Sequence, residues 1–180
     1  HGSEAQKTEY LPRIASGELR LQAFGVTEPS SGTDTAALKT TARRDGDIWR
    51  VSGQKIWTSR AEHSDLMILL CRTTPRDQVE KKHQGLSVFL LDMNDAKGNG
   101  LSIHPIRTMM NHATTEVFFD NVAVPHGNMI GEEGKGCPEE GKGRPEEGKS
   151  GRLTIWSFDI PNAEDLEGDL PSFLVPTDEV

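Results

Sequence analysis

Between Gly25 and Ala37 the chain reads Gly-Val-Thr-Glu-Pro-Ser-Ser-Gly-Thr-Asp-Thr-Ala-Ala, the densest run of chemically useful side chains in its 180 residues. Thr27 and Thr33 bring hydroxyl donors, Glu28 and Asp34 bring acids, and Ser30-Ser31-Gly32 lets backbone pass close to another group without Cβ collisions. Turn amides in such a run can converge on an anion or a polar ring edge. The residues alone suit a binding loop and an ordinary turn equally well. Glu28, next to Pro29 in a turn, is expected to fix the loop through nearby amides rather than to act as an acid, and Asp34 reads the same way.

Other groups offer less. His63, His83, His104, His112 and His126 have no metal-ligand spacing and are expected on the surface or in loops, so no metal is expected. Cys71 sits inside Leu66-Met67-Ile68-Leu69-Leu70-Cys71 and reads as a small buried hydrophobe. With Cys137 the only other cysteine, there is no disulfide framework, which fits a reducing compartment. Trp49 reads as a packed strand residue, Trp57 equally as core or ligand wall, and Arg107 with Glu116 and Asp120 as a structural pairing. Gly131 to Gly136 lacks the ending of a phosphate loop.

These residues need elements to hold them. Glu4 to Ser16 favours a short helix kinked at Pro12, stopped at Gly17 and docked on something larger. Extended runs follow at Leu19–Val26, Ala36–Arg44, Ile48–Val51, Gln54–Ser59, Leu66–Arg72, Leu86–Asp92, Leu101–Ile106 and Thr114–Asp120, the last continuing through Asn121–Val124. Asp45-Gly46 marks a hairpin, Ser52-Gly53 a turn, and residues 73–84 and 94–100 loops. Leu66–Arg72 is apolar up to its last residue and expected to be buried on both faces. The pattern predicts a mainly β fold, an antiparallel barrel or sandwich with a short N-terminal helix, and excludes βαβ alternation.

Charge divides the chain. Residues 1–130 hold 15 Lys/Arg and 15 Asp/Glu, whereas 131–180 hold 5 and 13, so the net charge of −8 lies entirely in the tail. From Glu132 a seven-residue unit with Glu-Glu-Gly-Lys repeats, carrying Gly in every copy and no apolar heptad positions. Residues 131–152 are therefore expected to be a flexible acidic linker, and 153–180 remain an unassigned, largely disordered tail. Residues 1–17, with their helix, and 18–130, a β-domain, complete the expected division. No basic patch suggests nucleic acid, no apolar run of 18 or more residues spans a membrane, and no secretory signal is visible. The expected location is cytoplasmic, or the mitochondrial matrix in a eukaryote.

Three segments in order resemble the flavin-dependent acyl-CoA dehydrogenases: Gly25–Ala37; Gly53-Gln54-Lys55-Ile56-Trp57-Thr58-Ser59; and Arg107 through Val124 with Pro125. The resemblance covers about residues 1–136. It implies a central β-domain that holds FAD, with Phe24 to Thr33, including Val26 and Thr27, along the flavin ring. It further implies Thr27 at the pyrimidine end, Thr33 toward phosphate or the acyl-CoA substrate, and Trp57, Thr58 and Ser59 on the ring's other side, with the Ser59 hydroxyl at N5. The family's C-terminal helical bundle carries the catalytic glutamate; nothing after Cys137 resembles that bundle, and most of the N-terminal helical domain has no counterpart. The resemblance thus implies α,β-dehydrogenation of acyl-CoA thioesters by the parent enzyme, with an electron-transfer flavoprotein as partner and a homo-oligomeric state. No catalytic residue is assigned here, and the chain alone is expected to be inactive, a fragment or a product with an unrelated tail. The alternatives are a non-catalytic module binding flavin or acyl-CoA, and a non-functional truncated product.

Overall fold

Ser3 opens the chain's order: its hydroxyl accepts from the Gln6 amide at 3.2 Å while Gln6 Oε1 accepts from the Ser3 amide at 2.9 Å, a reciprocal cap. The computed structural model describes residues 1–109 and 113–135. His112, Cys137, the repeats beyond Lys135 and the expected tail lie outside the described residues. Helix α1 (Glu4–Ala15) runs through Pro12, and Gly17, at φ +79°, ends it. It buries no side chain and is tied to the body by Gln6 Nε2, which donates to the Gly127 and Met129 carbonyls at 2.8 and 3.0 Å.

Eight strands follow: β1 (Leu21–Gly25), β2 (Thr41–Asp45), β3 (Ile48–Ser59), β4 (Leu66–Arg72), β5 (Leu86–Asp92), β6 (Leu101–Pro105), β7 (Thr114–Pro125) and β8 (Met129–Ile130), with a one-turn helix α2 (Met93–Ala96) after β5. They form one path, β6-β7-β3-β2-β4-β5-β8, with β1 beside β4. The fold is mainly β and sandwich-like, as the spacing of short strands predicts, but its pairing is mixed. β1 runs parallel to β4, because Ser64 and Asp65, just before β4, bind the start of β1: Ser64 Oγ accepts from the Gln22 and Ala23 amides and Asp65 Oδ2 from the Arg20 amide. β2 meets β4 at one parallel bridge, Thr41 opposite Arg72. The same edge of β4 thus serves both strands and joins two layers.

Those layers close on one core. Trp49 and Val51 of β3 and Val117, Phe119, Val122 and Val124 of β7 face Met67, Leu69 and Cys71 of β4 with Phe89 and Leu91 of β5. The other face of β4 and β5 (Ile68, Leu70, Leu86, Val88) packs under Leu38 and Val26, so β4 is apolar on both sides for the reason its sequence suggests. Cys71 is wholly buried, and burial pushes its thiol up to about 12.

Three expected boundaries move. Ser52-Gly53 does not turn: β3 continues to Ser59, and the irregularity is a bulge in which Asn121 (φ +55°) is the extra residue on β7. Only glycine fits at 53, where a Cβ would stand 2.6 Å from Thr40 Cα. The hairpin loop is Gly46-Asp47, one residue later than Asp45-Gly46, with Gly46 at φ +62°. Residues 35–37 form a 3-10 turn, so β2 starts at Thr41. Past β8, Gly134 still bonds the sheet, its carbonyl to the Gly85 amide and its own amide to Ser87 Oγ.

Candidate functional site

β1 ends at Gly25, where a Cβ would lie 2.8 Å from Leu69 Cδ1 and 3.4 Å from Lys55 Cγ. The absent side chain makes room for Leu69 and Met67, and the stem of Lys55 passes beneath β1 in ordinary contact. Lys55 Nζ then donates to the Val26 carbonyl at 3.1 Å and to Glu28 Oε1 at 2.9 Å. The pair is dry, the lysine side chain 0% and the glutamate 4% exposed. Glu28 also accepts from the Thr40 amide on Oε1 (2.9 Å) and the Lys39 amide on Oε2 (2.6 Å). Burial alone would raise its pKa; the Lys55 charge and the hydrogen bonds outweigh that and hold the carboxyl below its ordinary value. Glu28 therefore fixes the loop, as its place beside Pro29 suggests, and its partner Lys55 is the residue that sequence reading missed.

Reciprocal amide-to-carbonyl bonds of 3.0 Å between Glu28 and Ser31 close the turn, and Ser31 Oγ donates to the Asp34 carbonyl at 2.5 Å. Beyond it Gly32 and Thr33 are exposed, and a Cβ on Gly32 would meet nothing within 4 Å. Arg72, buried under this region, donates to the Ala36 and Gln84 carbonyls at 2.8 and 3.2 Å and so ties residues 35–37 to the 73–84 loop. Burial lowers its pKa.

The opposite wall comes from β3. Lys55 pairs with Val117 and Thr58 with Thr115, so two β3 residues stand against one on β7. Ile56 turns its amide away from β7 to the Thr27 carbonyl, 2.9 Å. Trp57 takes φ +59°, a left-handed conformation rare for a bulky residue, and is 58% exposed. Arg60, also left-handed at φ +56°, donates through Nε to Gln22 Oε1 of β1 at 2.8 Å.

The structure brings Val26, Thr27 and Trp57 together at this loop–bulge junction, with Phe24 half-buried on β1. Ser59 is exposed two residues past Trp57, and Thr33 lies on the far side of the turn. Thr58 goes inward: it is buried, its carbonyl accepts from Thr115 Oγ1 at 2.8 Å, and its hydroxyl has no partner. Its hydroxyl therefore does not face the open side that Trp57 and Ser59 share.

Elsewhere the expectations divide. Trp49 is packed as expected, 1% exposed and edge-on to Phe89. His126 lies in the turn at 126–128, as the loop reading expects, but it is half-buried, stacked on Trp49 and accepting its indole N–H at 3.1 Å. His63, His83 and His104 are exposed. Glu116 is held by Gln54 Nε2 rather than by Arg107. Among the described residues no three His, Cys, Asp or Glu side chains gather as a metal site. A cleft of about 630 Å³ opens at the other end of β3, between Tyr10, Arg50, Asp92, Asp95 and Asn121, and none of the site residues lines it.

Residues 23–122 match the family model described as "Acyl-CoA dehydrogenase, middle domain". The chain is 42% identical over 136 residues to the acyl-CoA dehydrogenase FadE26 of Mycobacterium tuberculosis, covering 76% of this chain and 33% of that protein. It is 37% identical over 138 residues to the glutaryl-CoA dehydrogenase of Desulfococcus multivorans, covering 76% and 34%. The solved acyl-CoA dehydrogenase from Geobacillus kaustophilus superposes with a TM-score of 0.68 at 36% identity, over 74% of this chain and 34% of that one. The chain thus spans about a third of the length of the curated relatives it matches.

Proposed function

Because the chain belongs to the acyl-CoA dehydrogenase family, we propose that its β sandwich is the flavin-facing middle domain of a FAD-dependent enzyme that α,β-dehydrogenates acyl-CoA thioesters. One observation carries the reading: Trp57, held out from a left-handed bulge with 58% of its surface exposed, beside the Thr27 segment. Solvent-exposed indole on a strained backbone gains nothing for the fold, whereas a planar ring system stacked on it accounts for both the exposure and the strain.

FAD, when bound, supplies the hydride acceptor. Phe24, Val26, Thr27, Trp57 and Ser59 would hold it, with Thr33 toward phosphate or the acyl-CoA and Thr58 supporting the wall from inside. Trp57 excludes water from its side of the ring. Ser59 offers a hydroxyl for the flavin N5 side, and Thr27 a hydrogen bond at the pyrimidine edge. Proton removal from the thioester α-carbon needs a carboxylate within hydrogen-bond reach. Glu28 cannot serve, since Lys55 and two amides occupy it inside the sheet. The base is therefore proposed to come from outside the described residues. An electron-transfer flavoprotein acceptor and self-association belong to the same proposal. Among the described residues no helix is long and apolar enough to cross a membrane.

The test is a titration of the purified chain with FAD, read by flavin fluorescence, followed by anaerobic addition of short, medium and long acyl-CoA thioesters. Saturable FAD binding that weakens in Trp57→Ala supports the site; absence of binding by the folded chain overturns it. Bleaching of bound flavin by acyl-CoA would show that a base exists within these residues. Binding without bleaching is expected both of the dehydrogenase reading, whose base lies outside the described residues, and of the narrower reading of a module that binds flavin or acyl-CoA without turnover.

A further inference from the structure

Lys55 lies two residues before Trp57, yet its ammonium is spent on the other wall, at Val26 O and Glu28 Oε1. The neighbouring Ile56 amide reaches Thr27 O. Three consecutive positions of the loop, 26, 27 and 28, are thus bonded by two consecutive positions of β3, immediately before the bulge. A wholly buried ammonium is costly to desolvate, and such pairs stabilise folds weakly while specifying geometry strongly in some systems.

We propose that Lys55 is a positioning residue: through Glu28 and the Val26 carbonyl it locks the Thr27 loop to the Trp57 bulge and so sets the gap between the two walls. This rests on the flavin reading for the identity of the ligand, but the clamp itself is a property of the ligand-free chain. Nothing in it requires Lys55 to touch the ligand. Loss of the clamp leaves both walls present and their separation free to vary.

The experiment compares the full chain with Lys55→Met and with Val122→Ala, a core substitution on β7 remote from the loop. Amide hydrogen exchange is read at Ile56, Ser31 and Thr40 in the ligand-free proteins, and FAD affinity is measured alongside. Should Lys55→Met fail to fold, Lys55→Met/Glu28→Gln, which leaves no unpaired buried carboxylate, takes its place. The expected result is at least tenfold faster exchange at Ile56 and Ser31 than in Val122→Ala, once corrected for global stability, with FAD binding at least tenfold weaker. Exchange no faster than in Val122→Ala overturns the clamp. Faster exchange with unchanged FAD affinity overturns its role in positioning. A folded wild-type chain that binds no FAD overturns the functional reading instead, and the exchange comparison then decides the clamp alone.

Discussion

Strand β3 carries a tryptophan near each end, and the two have opposite fates. Trp49 sits in unbroken register opposite Val124, 1% exposed, its indole N–H taken by His126 and its edge against Phe89. Trp57 sits in a bulge with left-handed backbone and 58% of its surface in solvent. Both residues suit a strand equally well, so residue type did not decide between them. What differs is the ladder. Where β3 and β7 pair without interruption, alternation sends the side chain to the core; where Ile56 leaves β7 for Thr27, the extra residue frees Trp57 to face outward. One end of the strand builds the fold, and the other holds its indole out in solvent.

The comparison breaks first at Trp49. Trp49→Ala is expected to cost about 3–5 kcal/mol of unfolding free energy, measured by urea denaturation, because it leaves a cavity between the layers and orphans His126. Its effect on flavin affinity of the folded fraction should be negligible. Gly53→Ala comes next, at about 2 kcal/mol, since its Cβ would strike Thr40 backbone that cannot yield. At the other end Trp57→Gly should shift stability by less than about 1 kcal/mol. Relief of left-handed strain, about 1–2 kcal/mol, is offset by the flexibility glycine adds to the unfolded chain, roughly 0.5–1 kcal/mol. A large stability loss in Trp57→Gly would make both tryptophans core residues and dissolve the distinction.

Acid gives the finest separation. Glu28 has a depressed folded pKa, so its contribution is fully present above the unfolded glutamate value of about 4.3 and is lost as pH falls through the lower folded value. Thermal melts between about pH 5 and 2 should therefore fall less steeply in Glu28→Gln than in the parent. An identical pH slope in both would show that the Glu28 end is not titrating as its contacts require.

Much of the fold is legible from local pattern. Leu66–Arg72 and Leu86–Asp92 are marked by the apolar runs Leu66–Cys71 and Val88–Leu91, and the loop chemistry of Gly25–Ala37 marks one side of the candidate site. What stays hidden depends on contacts distant in sequence. Ser52-Gly53 has turn composition, and only its register with β7, where Asn121 is the extra residue, shows a bulge within a continuous strand. The parallel pairing of β1 with β4 rests on Ser64 and Asp65, more than 40 residues from the strand they bind. Lys55 is the instructive miss. It continues the inward odd-numbered series Trp49, Val51, so a charged residue at a core position was visible. Its partner Glu28 was visible too, but nothing local joins two residues 27 positions apart.

We propose that the Trp57 end of β3 is a ligand wall and the Trp49 end is not. FAD affinity measured side by side for the parent chain, Trp49→Phe and Trp57→Gly tests it most directly. Trp49→Phe is expected to bind as the parent does, while Trp57→Gly should bind at least tenfold more weakly, about 1.4 kcal/mol, with its melting temperature nearly unchanged. Equal affinity for the parent and Trp57→Gly, both folded, would contradict it.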